Sequence, residues 1–215
     1  MTALLVESYD ALADAVSQLR DQDAWAPTGC TGWSVHDLVW HLHADAVRGL
    51  VAAHTPAGRA PDCDAVGYWR SWGSDPEADE RNRRLTRVES GLHTFAELRE
   101  RHLEACAAAR RAVIDLPAGE VLATQGHALR ADDLASTLAV EATLHHLDLV
   151  AHLDATLPPP STSGIAEVRR IVEALLPVGL AGWSDERVAL VGTGRATPTD
   201  DELGHLRGAR LPVFS

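Results

Sequence analysis

Residues 133–153 carry a helical stripe whose chemistry changes halfway along. At about 100° per residue, Leu134, Leu138, Glu141, His145, Asp148 and His152 fall on one narrow face. The first half of that face is apolar and the second is ionisable. A helix that buries this stripe takes carboxylates and imidazoles inward with it, at a desolvation cost unless opposite charge compensates them. The chain must therefore build a helical interior with a polar centre. Two readings fit the stripe by itself. Glu141 and His145, four apart and one above the other, can ligate a single divalent cation, as side chains in bundle cores commonly do. Alternatively Glu141 and Asp148 pair with arginines at a partly wet interface and His145 is a hydrogen-bonded core histidine.

The remaining pattern is helical too. Leu4, Leu5, Tyr9, Leu12, Val16 and Leu19 recur at helical spacing. Ser34 and Asp37 form a capping-box-like entry to a helix over about 35–53. Residues 55–76 read as a loop, yet Tyr68, Trp69 and Trp72 predict that it folds back over the core. Residues 77–116 are helical with a break at Gly91, ended by Pro117 and Gly119. A small hairpin follows around Gly126, then Asp132 or Asp133 is expected to cap the striped helix. Beyond the Pro158-Pro159-Pro160 linker the sequence predicts a helix over 165–180, a strand over 187–191 and a turn at Gly192-Thr193-Gly194-Arg195. The expected architecture is mainly α: a four-helix bundle over 1–155, a Pro-rich linker over 156–164 and a short mixed α/β extension over 165–215.

Charge narrows the partners. There are 31 acidic residues against 19 basic ones, net -12, and every basic residue is Arg. Local clusters such as Arg81, Arg83, Arg84 and Arg87 alternate with acids, so neither nucleic acid nor an anionic membrane surface is an expected partner. No run approaches the ~20 apolar residues of a membrane span, and the first residues lack a basic segment and an apolar secretory core, which predicts a cytoplasmic protein. Cys30, Cys63 and Cys106 are odd in number, scattered and free of any CxxC spacing. They read as small, at least half-buried apolar residues, and any metal is expected to use other ligands. The Arg-only composition, with one Asn and three Ile, reflects a GC-rich codon supply.

Helix 35–53 offers a further ligand in Trp40-His41-Leu42-His43. The two histidines lie about 200° apart, on opposite flanks of the arc Val35, Leu38, Leu42, Ala46 and Leu50, and periodicity leaves both open. Of the other histidines, His127 and His152 come next. Trp69 and Trp72 pack on the bundle or wall a substrate, and packing is the favoured reading. Arg195, on a glycine-flanked turn, either clamps a substrate carboxylate through two N–H bonds or lies in solvent.

Gly32-Trp33-Ser34-Val35-His36-Asp37-Leu38-Val39-Trp40-His41-Leu42 resembles the GW(S/T)xxDLxxHL signature of the mycothiol-dependent maleylpyruvate isomerase family. Glu141-Ala142-Thr143-Leu144-His145-His146-Leu147-Asp148-Leu149 resembles its ExxxHxxDL signature, about 100 residues on. The resemblance covers roughly residues 1–155, with weaker likeness in the tail. It implies a DinB-like metal-binding four-helix bundle with His41, Glu141 and His145 as zinc ligands and Asp148 as an active-site residue beside them; Arg195 joins Asp148 as a catalytic candidate on its own reading as a carboxylate clamp. It also implies mycothiol, the low-molecular-weight thiol of actinobacteria, as co-substrate. The tail is shorter than the isomerase's C-terminal domain, which leaves the substrate open.

Zinc held by two imidazoles and one carboxylate keeps an open position and lowers the pKa of what binds there. The expected activity is a thiol-dependent cis-trans isomerisation or an S-transfer to an electrophile. The expected partners are a small thiol and an electrophilic or unsaturated-acid substrate, on a monomer or homodimer. A non-catalytic metal- or thiol-binding module, or a natural-product tailoring enzyme using another thiol, is the alternative.

Overall fold

The structure, a computed structural model, describes residues 2–72, 76–117, 119–153 and 156–214. Four long helices, α1 (Thr2–Ser17), α2 (Val35–Ala53), α5 (Phe95–Ile114) and α6 (Ala131–Val150), pack as a bundle. Two shorter helices, α3 (Ala65–Arg70) and α4 (Pro76–Ser90), lie between α2 and α5 in the chain. The hairpin of β1 (Val121–Thr124) and β2 (His127–Arg130) pairs Val121 with Arg130 and Thr124 with His127. The extension forms α7 (Thr162–Leu175), α8 (Asp185–Gly192) and α9 (Asp200–His205).

Local chemistry accounts for most of these boundaries. Ser34 accepts from the Asp37 N–H while the Asp37 carboxylate accepts from the Ser34 N–H at 2.9 Å, the reciprocal box that starts α2. The break near Gly91 is followed by a second such box, Thr94 with Glu97, which restarts the chain as α5. Within the predicted loop 55–76, Asp64 caps α3 through the Gly67 N–H at 2.7 Å, burying Tyr68 and Trp69. The proline linker is not loose. The carbonyl of Pro158 meets the buried His146 Nε2 at 2.9 Å, and Ser161 caps α7. The boundary placed at residue 155 lies outside the described residues.

Three expectations are corrected. Residues 187–191, read as a strand from their β-branched content, belong to α8. Ser184 accepts from the Arg187 N–H, and Asp185 and Glu186 occupy the positive end of the helix, so the cap outweighs the strand preference of Val188 and Val191. Neither Asp132 nor Asp133 caps α6, because the helix starts at Ala131 directly from β2; Asp133 instead accepts from the Ala65 N–H at 3.0 Å. His152 lies just past the end of α6 and is exposed, so it leaves the ionisable face.

Burial falls into two apolar clusters joined at α6. One fills the bundle with Leu5, Leu12, Leu38, Leu98, Leu134 and Leu138. The other seats Val140 and Leu144, on a different side of α6, against Trp69, Val168, Ile171, Val188 and Phe214. Helix α6 is therefore buried on two sides, and the extension covers the flank that carries Asp148 and Leu144.

His102, on α5 facing α2, is 1% exposed, and burial pushes its imidazole down to about 4, against a hydrogen bond with the Leu42 backbone. Its folded pKa lies below the unfolded value, so the unfolded chain takes up the proton first. Stability is expected to fall as pH drops from about 6.5 towards 4, by as much as about 3 kcal/mol from this residue. Urea unfolding of wild type and His102→Gln at pH 7 and pH 4.5 checks it: the variant's acid loss should be smaller by most of that amount.

Candidate metal centre

The capping box at Ser34 fixes the start of α2 and hence the turn on which His41 sits. His41 Nε2 lies 3.0 Å from His145 Nε2, and Glu141 Oε1 lies 3.4 Å from each of them. A tetrahedral ion with bonds of about 2.05 Å puts its ligand atoms about 3.3 Å apart, so the three donors already stand at the edges of such a site. His43 is elsewhere: its Nδ1 lies 3.1 Å from the Arg101 carbonyl on α5. Geometry thus separates the two histidines that helical periodicity leaves open.

The protonation pattern leaves one proton for a cation to displace. His145 Nδ1 lies 3.0 Å from Asp148 Oδ2, and a carboxylate only accepts, so that nitrogen carries the proton. Burial acts to lower the His145 imidazole, but the Cys30, Asp148 and Glu141 groups outweigh it and push it up, so Nε2 also holds a proton, directed at Glu141, until a cation displaces it. Burial holds the His41 imidazole below its ordinary value, towards its neutral, ligating form. Burial would raise Glu141, but the hydrogen bonds to His145 and His41 outweigh it and keep the carboxylate ionised. Once the His145 Nε2 proton is displaced, two imidazoles and one carboxylate around a gap of ligand size fit a divalent metal.

Behind His145 stands a second layer. The Asp148 side chain is 2% exposed. Arg195 donates to it through Nε at 2.9 Å and Nη2 at 2.7 Å, a two-point pairing. Burial acts to raise the Asp148 carboxyl; the His145 bond and the Arg195 charge overcome this and hold it well below the usual range. The Cys30 thiol donates to Asp148 Oδ2 at 3.2 Å, and the Gly29 N–H donates to the Asp148 carbonyl at 2.9 Å. A methyl on Gly29 would collide with the same carboxylate, so the close approach of this loop requires glycine.

Arg195 reaches Asp148 because Gly194, at φ +75°, turns the chain after α8. The two N–H groups that the sequence offered to a substrate carboxylate are thus directed at Asp148. Cys30 is the site residue that sequence reasoning missed. Its signal was position: it falls in the Gly29-Cys30-Thr31-Gly32-Trp33 loop, and Trp33 packs its ring 5.0 Å from that of His41.

Two cavities meet at His41 and Glu141, and His145 lines the larger of them. One, of about 430 Å³, is lined by Cys30, Thr31, Arg83, His145, Thr193 and Arg195 among others. The other, of about 330 Å³, is lined by Trp40, Asp45, Arg48, Tyr68 and Gln125 among others. Trp33, His41, Trp69, Trp72, Asn82 and Glu141 border both. Trp69 is buried, with its ring stacked 4.6 Å from Phe214, so it packs and walls the site at once. Burial, and then the charge of Glu141, push the Asp45 carboxyl up to about 7.

Residues 5–150 match the family model of the mycothiol maleylpyruvate isomerase N-terminal domain. Among solved structures, a crystal structure of the mycothiol-dependent maleylpyruvate isomerase is similar over 80% of this chain and 67% of its own, with a TM-score of 0.56 and 15% identity. A search of curated proteins finds no match.

Proposed function

The chain belongs to the mycothiol maleylpyruvate isomerase N-terminal domain family, and from this premise we propose a zinc-dependent enzyme with mycothiol as co-substrate, acting as a cis-trans isomerase or an S-transferase. The observation that carries the reading is the convergence of His41, Glu141 and His145 to mutual distances of 3.0–3.4 Å where two cavities meet. Zinc held by them would supply the positive charge that keeps a thiol as its thiolate at neutral pH.

The chain's own groups then do the following. His41, Glu141 and His145 would hold the ion. Asp148 fixes the Nδ1–H tautomer of His145 and leaves its Nε2 as the ligating nitrogen. Accepting from Arg195, His145 and Cys30, and held well below the usual carboxylate range, Asp148 is a positioning residue rather than a proton shuttle. Arg195 locks Asp148 from the extension. The two cavities give a thiol and an acceptor separate approaches to one point, while Trp33, Trp69 and Trp72 limit water there.

In the isomerase version the thiol sulfur adds to a cis double bond, the new single bond rotates, and elimination returns the thiol. In the transferase version the sulfur displaces a leaving group and stays attached.

The test is metal analysis of protein purified without added zinc, followed by mycothiol binding and rates with maleylpyruvate and with a bimane electrophile. The reading expects about one divalent ion in this centre and turnover of at least one of the two substrates. Loss of the centre's metal with no thiol binding overturns it, and binding without turnover moves the protein to a non-catalytic thiol-binding role.

A further inference from the structure

A second group of metal-ligating side chains lies away from the bundle centre, where β2 meets the segment that enters α3. Cys63 Sγ is 3.5 Å from His127 Nδ1, and Asp62 Oδ1 is 3.5 Å from the same nitrogen. All three donor atoms fall within 4.8 Å of one another. Zinc bonds of about 2.3 Å to sulfur and about 2.0–2.1 Å to nitrogen or oxygen place tetrahedral neighbours about 3.3–3.6 Å apart, which matches both distances from His127 Nδ1.

The surroundings are built for it. Asp62 is oriented by the Ala128 N–H on Oδ1 at 3.1 Å and by Arg59 on Oδ2 at 2.6 Å, so the Oδ1 that faces His127 is held in place. The Asp62 N–H in turn donates to the Ala128 carbonyl at 3.0 Å, which ties the two segments together by their backbones. The side chains of His127 and Asp62 are about one-third exposed, leaving an entry path for an ion and room for water as a fourth ligand. Burial and the neighbouring charges of Asp62, Asp64 and Asp133 push the Cys63 thiol up to about 11. That negative surrounding opposes a bare thiolate and attracts a cation able to replace the proton.

We propose that Asp62, Cys63 and His127 form a second divalent-metal site, of the zinc class, that clamps the hairpin to the start of α3. A carboxylate, a thiolate and an imidazole suit zinc or cobalt and disfavour calcium and magnesium, which take oxygen ligands. Binding releases the Cys63 proton to solvent as the sulfur–metal bond forms. The clamp bears on the candidate metal centre through its neighbours: His127 packs edge-on to Tyr68 at 5.7 Å, and Gln125 donates to the Tyr68 hydroxyl at 3.0 Å. Tyr68 and Trp69 on α3 line the smaller cavity. The site stands whether or not the bundle centre is catalytic.

Cobalt(II) separates the two sites, because the His41, Glu141 and His145 donors include no sulfur. Titrating the full-length metal-free protein with cobalt should produce a near-ultraviolet sulfur-to-cobalt charge-transfer absorption. Cys63→Ser should abolish that absorption, whereas Cys30→Ser should keep it. His127→Ala should weaken the cobalt affinity of this site by at least about 100-fold. As a readout that needs no variant, zinc should slow maleimide alkylation of Cys63, mapped by peptide mass. Absence of the absorption in the wild type, its survival in Cys63→Ser, or unchanged alkylation with zinc overturns the proposal.

Discussion

Glu141→Gln is expected to weaken zinc binding at the bundle centre by about 100-fold or more, because it removes the one formal negative charge among three donors while nearly preserving shape. The two imidazoles that remain are neutral, so an ion there would keep its full double charge in a partly buried place. Binding to the folded state alone stabilises by RT ln(1 + [L]/Kd), about 2.7 kcal/mol at a hundredfold excess over Kd. For a chain of this size that is roughly 5–10 °C in Tm. Wild type should therefore gain that increment when zinc is added to metal-free protein, and Glu141→Gln should gain almost none at the same concentration. Differential scanning fluorimetry with zinc titration, read beside metal content, measures both. A full zinc-dependent shift in the variant would show that the ion binds elsewhere, which is why the measurement belongs in a Cys63→Ser background as well.

Much of this centre was legible before any coordinates, and the reason is local. Glu141, His145 and Asp148 share one α6 face because a helix repeats its direction every 3.6 residues, so a polar half-stripe below Leu134 and Leu138 announces itself. The capping box that starts α2 is equally local, written in Ser34 and Asp37. What stayed hidden depends on pairs far apart in sequence. Whether His41 or His43 faces α6 is set by how α2 rolls against α5, where the Arg101 carbonyl takes His43. Cys30 comes within 3.2 Å of Asp148, 118 positions away, through a loop with no periodicity to read. The α8 error has a related cause. Val188, Ala189 and Val191 bury against the second apolar cluster, and a short buried helix and a buried strand look alike in composition, so only the cap at Ser184 distinguishes them. Helix α6 itself is packed on two sides, which blurs its amphipathic contrast while leaving the ionisable stripe intact.

Arg195→Leu is expected to cost about 3–5 kcal/mol of stability, since it strands the buried Asp148 carboxylate with its main countercharge gone. The side chains of the pair are 15% and 2% exposed, so solvent does little to screen the loss. If the pair serves stability alone, Asp148→Leu in the same chain should recover much of that energy, because an apolar pair of similar volume can replace a buried ion pair at little cost. If it also positions His145, the double variant regains stability while zinc affinity stays about 10–100-fold below wild type, because nothing then holds the Nδ1–H tautomer. Asp148→Asn divides the matter further. Its side-chain oxygen still accepts from His145, so it should lose less zinc affinity than Asp148→Leu while still disrupting the arginine pairing. Urea unfolding and competition zinc titrations on wild type, both single variants and the double variant supply the cycle. Recovery of stability and zinc affinity together in the double variant would leave Arg195 as packing. Recovery of stability alone makes it the residue through which the extension sets the geometry of a candidate metal centre whose three donor side chains, His41, Glu141 and His145, all lie on the bundle.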